Sequence, residues 1–102
     1  DAARILTTLA NDTTLPGDDR VSAAQALGEL DGHAEDAARL LICLASDTTI
    51  RSRARGSAAQ ALAELDGHGE DATRILATLA NDTTLDREDR LSAAETLAKL
   101  HA

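Results

Sequence analysis

The stretch DGHAED, residues 31–36, returns almost unchanged as DGHGED at residues 66–71. Taken alone, its acids and histidine could be drawn as the ligands of a metal ion. The two copies lie 35 residues apart, however, and Asp1, Asp36 and Asp71 each open a closely similar block. A period in this range is typical of proteins built from stacked repeats. The chain is therefore predicted to be one domain, 1–102, made of three repeats: 1–35, 36–70 and 71–102.

Each block carries two apolar stripes with helical spacing. In the first block Ala2, Ile5 and Leu9 fall on one face of a helix, and a second stripe containing Ala24 and Leu27 follows after a polar turn. Neither helix of such a hairpin can bury its stripe alone, so we predict an all-α fold of three helical hairpins stacked on one core. The first helices are predicted at 1–11, 34–46 and 69–81, and the second helices at 17–30, 52–65 and 87–100.

Within this pattern the DGHAED stretch joins one hairpin to the next. We expect Gly32 to turn the chain, His33 to cap the following helix, and Glu35 and Asp36 to lie in its first turn, where negative charge suits the helix dipole. Glu35 also precedes Arg39 by four residues, the spacing of a stabilising helical ion pair. One histidine with first-turn acids provides no tetrahedral or octahedral ligand set, so we predict no metal site.

The composition restricts the possible partners. The chain has a net charge of −8 and contains no Phe, Trp, Tyr or Met. Because this charge repels phosphate backbones, we expect no nucleic-acid partner. The longest apolar run, 40–45, is too short to span a membrane, so we expect no membrane partner either.

The single Cys43 needs no oxidising compartment, and no secretory leader is seen, so a cytoplasmic location is expected. The first residue is Asp1, which coincides with a repeat boundary. We therefore expect the chain to be a piece of a longer array. The preference for arginine over lysine suggests a GC-rich genome.

The first block reads Leu6-x-x-Leu9-x-x-Asp12, then Arg20-x-x-Ala23-Ala24-x-Ala26-Leu27-Gly28-x-Leu30. This pattern covers the whole chain and resembles the HEAT repeat, including its bacterial HEAT-like branch. The resemblance implies a right-handed α-solenoid that acts as a binding scaffold, with the second helix of each hairpin on the concave side. It also implies an Asp–Arg ladder along the stack, formed by Asp12, Arg20, Asp47, Arg55, Asp82 and Arg90. Such pairing would account for a charged Arg20 within a buried stripe.

The resemblance thereby makes the polar faces of the second helices the candidate partner-binding surface, here called the polar stripe. A plain solvated face is the alternative interpretation. The polar stripe consists of Asp18, Ser22, Gln25, Glu29, Arg53, Ser57, Gln60, Glu64, Glu88, Ser92, Glu95 and Lys99.

Two departures from the repeat could mark a specific role. Ile42 and Cys43 replace polar or small residues of the other blocks. Packing against neighbouring helices, a partner contact and a reactive thiol are the three interpretations. Gly56 stands where the other blocks have Val21 and Leu91, inside a helix, where glycine is unfavourable. We expect the close approach of a neighbouring backbone there, with a notch for a ligand side chain as the alternative.

A third departure from the repeat concerns its charged residues. The segment at the start of the second helix carries Arg51, Arg53 and Arg55 in the second block, whereas the same segment of its neighbours carries the acids Asp18 and Asp19 or Asp86, Glu88 and Asp89. We expect the arginines to be neutralised by the acidic loops on either side, and anion binding is the alternative.

No phosphate loop, metalloprotease motif or nucleophile elbow is present in the sequence, so we predict a non-enzymatic protein without catalytic residues or cofactor. The expected function is a scaffold or sensor segment with a protein or peptide partner. The alternative is a structural spacer without a ligand. Apolar residues at both ends of the array also predict end-to-end association of chains, either through like ends or head to tail.

Overall fold

The computed structural model describes residues 1–65 and 67–101. That part of the chain forms six α-helices and no strand. The all-α prediction is therefore confirmed. The helices are α1 (Ala2–Asn11), α2 (Gly17–Gly28), α3 (Ala34–Ser46), α4 (Ser52–Ala63), α5 (Gly69–Asn81) and α6 (Arg87–Leu100).

The predicted bounds of α3, α5 and α6 are confirmed, whereas α2 and α4 each end two residues early. At the end of α2, Glu29 and Leu30 donate their backbone N–H groups to the carbonyls three residues earlier, at 3.1 Å each. This tighter pattern is common in the last turn of a helix, where the carbonyls lose their usual partners. Helix α1 begins at Ala2 because the Asp1 carboxylate caps it by accepting a hydrogen bond from the backbone of Ala3 at 3.0 Å.

Gly32 turns the chain between α2 and α3 as predicted, with a φ of 82° that favours glycine. Residue 67, in the equivalent turn, has a φ of 83°. His33 occupies the N-cap position of α3 as predicted, but its side chain makes no capping hydrogen bond. Glu35 and Asp36 do lie in the first turn of α3.

The predicted ion pair between Glu35 and Arg39 is also wrong. Arg39 contacts Asp36, three residues before it, and Arg74 contacts Asp71 at 2.7 Å in the same way. Glu35 instead reaches across to the ring of His68, where its Oε1 lies 3.2 Å from Nε2. The local spacing could not show this contact because His68 belongs to a distant part of the sequence.

The helices pack in two rows. Each helix contacts the next along the chain, while α2 contacts α4, α4 contacts α6, and α3 contacts α5. The shortest extent of the molecule, 14 Å, leaves room for two layers of helices at the usual spacing of about 10 Å. The buried core consists of alanines, Val21 and leucines; its largest fully buried side chains are Leu27, Leu41, Leu44, Leu62, Leu76 and Leu79.

Small residues permit the close packing of this core. A Cβ added at Gly17 would lie 3.0 Å from the Cβ of Ile50 and 3.1 Å from that of Ala54. At Gly28 the nearest atom would be Cδ2 of Leu65, at 3.2 Å. These two glycines, and not Gly56, are the ones whose small size the packing requires.

Three arginines donate hydrogen bonds to the C-terminal ends of α1, α3 and α5. The Nε of Arg20, Arg55 and Arg90 donates to a backbone carbonyl ten residues earlier, that of Ala10, Ala45 and Ala80, at 2.9, 3.0 and 3.0 Å. Each of these carbonyls lies in the last turn of its helix, where no intrahelical donor remains. A cation also suits the negative end of the helix dipole. This contact explains why an arginine is buried at Arg55, which is only 8% exposed.

Candidate binding groove between α4 and α6

The structure places the polar stripe on the surface. All twelve of its side chains are exposed except that of Asp18, which is half-buried. Five members line one groove between α4 and α6, namely Arg53, Ser57, Gln60, Glu88 and Ser92. Gln25, Glu29 and Glu64 border a smaller hollow of about 200 Å³ between α2 and α4. Ser22, Glu95 and Lys99 border neither feature.

The groove between α4 and α6 has a volume of about 480 Å³. Binding pockets for small molecules have similar volumes, but their walls are mostly apolar. Here the walls are polar, and among the described lining residues there is no histidine or cysteine. They are Arg51, Ser52, Arg53, Gly56, Ser57 and Gln60 on one side and Asp86, Glu88, Asp89, Ser92, Ala93 and Thr96 on the other. This lining suits a polar chain segment better than an apolar small molecule.

Gly56 opens this groove. A Cβ added there would have no neighbour within 4 Å, so the expected close approach of another backbone is wrong. In α2 the equivalent Val21 is buried at 4% exposure and belongs to the apolar core. The missing side chain at residue 56 therefore leaves space between α4 and α6 at the place that a valine occupies on α2.

Opposite charges line the two sides of the groove. Arg51 and Arg53 extend from the start of α4, while Asp86, Glu88 and Asp89 extend from the start of α6. A ligand that complements both sides must therefore carry an acidic group near the arginines and a basic group near the carboxylates.

Some of this charge is already paired. Nη1 of Arg51 lies 3.6 Å from Oδ2 of Asp18, an acid in the first turn of α2, as expected for mutual neutralisation. At the base of the groove the hydroxyl of Ser52 donates to Asp89 and joins the two helices. Arg53 and Glu88 both line the groove, and within the described residues neither forms an ion pair within 4.0 Å.

One contact of the predicted Asp–Arg ladder is formed. Nη1 of Arg20 lies 4.0 Å from Oδ2 of Asp47. No other Asp–Arg contact within 4.0 Å joins the predicted ladder residues in the described structure. Their strongest hydrogen bonds lie elsewhere, because the arginines donate to helix-end carbonyls and the aspartates accept from nearby threonines.

The aspartates at the end of α1, α3 and α5 stabilise the turns that follow. Oδ1 of Asp47 accepts from the backbone N–H of Thr49 at 2.9 Å and from its hydroxyl at 2.6 Å. The same two bonds join Asp12 to Thr14, and Asp82 to Thr84. The threonine hydroxyl, followed by its N–H and nearby arginine charge, lowers the pKa of each carboxylate below its ordinary value of 3.8.

Ile42 and Cys43 occupy different environments. Ile42 is partly buried against the core, in agreement with the packing interpretation. Cys43 is exposed as a free thiol. No group of three or more His, Cys, Asp and Glu side chains in residues 1–65 and 67–101 is arranged to hold a metal ion. In the same part of the chain no helix has the length and apolar character needed to cross a membrane.

The sequence did not predict the groove itself. Its signal was the difference between Gly56 and the apolar residues at the equivalent positions. Comparisons with protein families, curated proteins and solved structures found no match to this chain.

Proposed function

We propose that this chain is a non-enzymatic HEAT-like repeat scaffold that binds an extended protein segment in the groove between α4 and α6. In this proposal the six helices form a right-handed α-solenoid of three stacked hairpins, with α2, α4 and α6 on the concave side. The recurrence of the arginine-to-carbonyl bond at residues 20, 55 and 90 supports three equivalent units. The successive contacts of α2, α4 and α6 support the stacking.

The observation that carries the binding proposal is the space above Gly56. A continuous array of equal units would carry an apolar side chain there, as it does at Val21. The glycine instead leaves a groove of about 480 Å³ whose two sides bear opposite charge. A segment with one acidic and one basic side chain can place the acid near Arg53 and the base near Glu88. Such pairing sets orientation and specificity more than affinity.

A peptide selection tests this proposal. Random dodecapeptides displayed on phage are selected against the chain and then measured individually as synthetic peptides by calorimetry. We expect the enriched peptides to combine acidic and basic residues and to lose binding to Gly56→Val, which fills the groove with the side chain found in α2. Charge reversal by Arg53→Glu should also abolish binding and leave the helical content unchanged.

Gly69→Val is the matched control, because Gly69 is exposed at the start of α5 and an added Cβ would likewise meet nothing within 4 Å. This variant should bind the enriched peptides like the original chain. If no peptide is enriched, or if Gly56→Val binds the peptides equally well, the groove is not a binding site. The chain would then act as a spacer that holds neighbouring parts of a protein apart.

A further inference from the structure

The two ends of the helical array expose surfaces that are buried inside it. At the first end, Leu9 of α1 is 39% exposed, while the equivalent Leu44 of α3 and Leu79 of α5 are each 2% exposed. Ile5 of α1 is 58% exposed, whereas its equivalent on α3, Leu40, packs partly against the core. On α3 and α5, the residues equivalent to Ile5 and Leu9 are therefore the surface by which these helices pack against the helices before them. On α1 the same surface is exposed.

The opposite end exposes the complementary surface. Leu91 of α6 is 56% exposed, while the equivalent Val21 of α2 is 4% exposed. Ala94 of α6 is also exposed, whereas Ala24 and Ala59, at the same position of α2 and α4, are fully buried. This surface is the one that α2 and α4 present to the helices that follow them.

We propose that a second copy of the chain stacks head to tail, with the Ile5–Leu9 surface of one copy covering the Leu91–Ala94 surface of the other. Each internal junction of the array already joins surfaces of these two kinds, so the contact repeats an interface that the chain forms with itself. Pairing of like ends has no such internal example. A head-to-tail contact leaves an open surface at each end of the dimer, so further copies can add.

Continuing the internal register specifies polar contacts across the new junction. The pair of Arg20 with Asp47 becomes a pair of Arg90 with Asp12 of the second copy. The close approach of Gly17 to Ala54 places Arg87 opposite Asp19 of the second copy. Both contacts join opposite charges and favour the same register as the apolar surfaces.

The surrounding charge opposes the contact. The start of α6 carries Asp86, Glu88 and Asp89, and the first turn of α2 of the second copy adds Asp18 and Asp19. Each chain also has a net charge of −8. Because salt screens repulsion between exposed charges, association should strengthen as the salt concentration rises.

Sedimentation and light scattering on the 102-residue chain test this proposal. The average mass of the original chain should rise with protein concentration, pass that of a dimer, and rise further at higher salt. Ile5→Asp and Leu91→Asp each introduce a carboxylate into one of the two surfaces, so each variant alone should be monomeric. An equimolar mixture should form a dimer with one copy of each variant and no larger species, because each supplies the surface that the other has lost.

Cys43→Asp is the control, since it adds the same charge to an exposed position of α3, in the middle of the array and away from both end surfaces, and should assemble like the original chain. Gly56→Val should also assemble normally, which separates this proposal from peptide binding in the groove. If the chain stays monomeric at all concentrations, the proposal is wrong. The end surfaces would then be expected to pack against adjoining helices of a longer protein. Dimers of Ile5→Asp alone or Leu91→Asp alone would show pairing of like ends and overturn it as well.

Discussion

Replacing Gly56 with alanine should stabilise the protein. Gly56 is the fifth residue of α4, in the interior of a twelve-residue helix. Its φ is not positive, and a Cβ at this position would have no neighbour within 4 Å. The alanine therefore gains helix propensity and meets no steric penalty.

The expected gain follows from the difference in helix propensity. Alanine is more favourable than glycine in a helix interior by about 0.5 to 1 kcal/mol, because glycine loses more backbone freedom on folding. The unfolding entropy of globular proteins is about 2.1 cal/mol/K per residue, or about 0.2 kcal/mol/K for a chain of this length. The Tm should consequently rise by about 2 to 5 °C.

Thermal unfolding followed by circular dichroism, together with urea titration, measures this change. Two other Gly→Ala variants serve as controls with the opposite expected sign. At Gly17 the added Cβ would lie 3.0 Å from the Cβ of Ile50 and 3.1 Å from that of Ala54, so these neighbours must shift by a few tenths of an ångström. At Gly32 the space is open but φ is +82°, which costs an alanine about 1 to 2 kcal/mol.

The result that would refute the reasoning is a fall in the Tm of Gly56→Ala similar to that of Gly17→Ala. Such a fall would mean that a neighbouring helix approaches residue 56 as closely as Ile50 approaches residue 17. The groove between α4 and α6 would then be closed in solution, and the binding proposal would lose its basis.

Two further predictions concern the C-terminal end of α3. Arg55→Leu should lower the free energy of unfolding by about 1 to 3 kcal/mol in urea titration, because the carbonyl of Ala45 loses its donor in a buried place; an unchanged midpoint would contradict this role. Thr49→Val should raise the pKa of Asp47 in a carboxyl NMR titration, since the hydroxyl of Thr49 is the largest cause of its lowered pKa. The pKa of Asp47 is lowered in the folded protein, so its carboxylate stabilises the fold above pH 3.8 and this stabilisation is lost as the pH falls through the folded pKa. The Thr49→Val variant should therefore lose less stability on acidification than the original chain. An Asp47 pKa that does not move would refute the assignment.

The sequence by itself determined the number and placement of the helices. Apolar residues at helical spacing, such as Ala37, Leu41 and Leu44, specify which face a helix buries, and the glycine at residue 32 marks a turn. These signals are local, because residues three or four apart on a helix are neighbours in every fold. Hence the bounds of α3, α5 and α6 could be predicted to the residue, whereas α1 begins one residue later than predicted and α2 and α4 each end two residues early.

Only the tertiary structure decided what the individual side chains contact. Arg55 donates to the carbonyl of Ala45 although an aspartate was expected, and Glu35 contacts His68 although Arg39 lies nearer in sequence. The tertiary structure also decided the open space next to Gly56, because the width of this space depends on how α4 and α6 pack. Helical periodicity states which face of a helix is buried, but the distance and angle between two helices result from the packing of all the side chains between them.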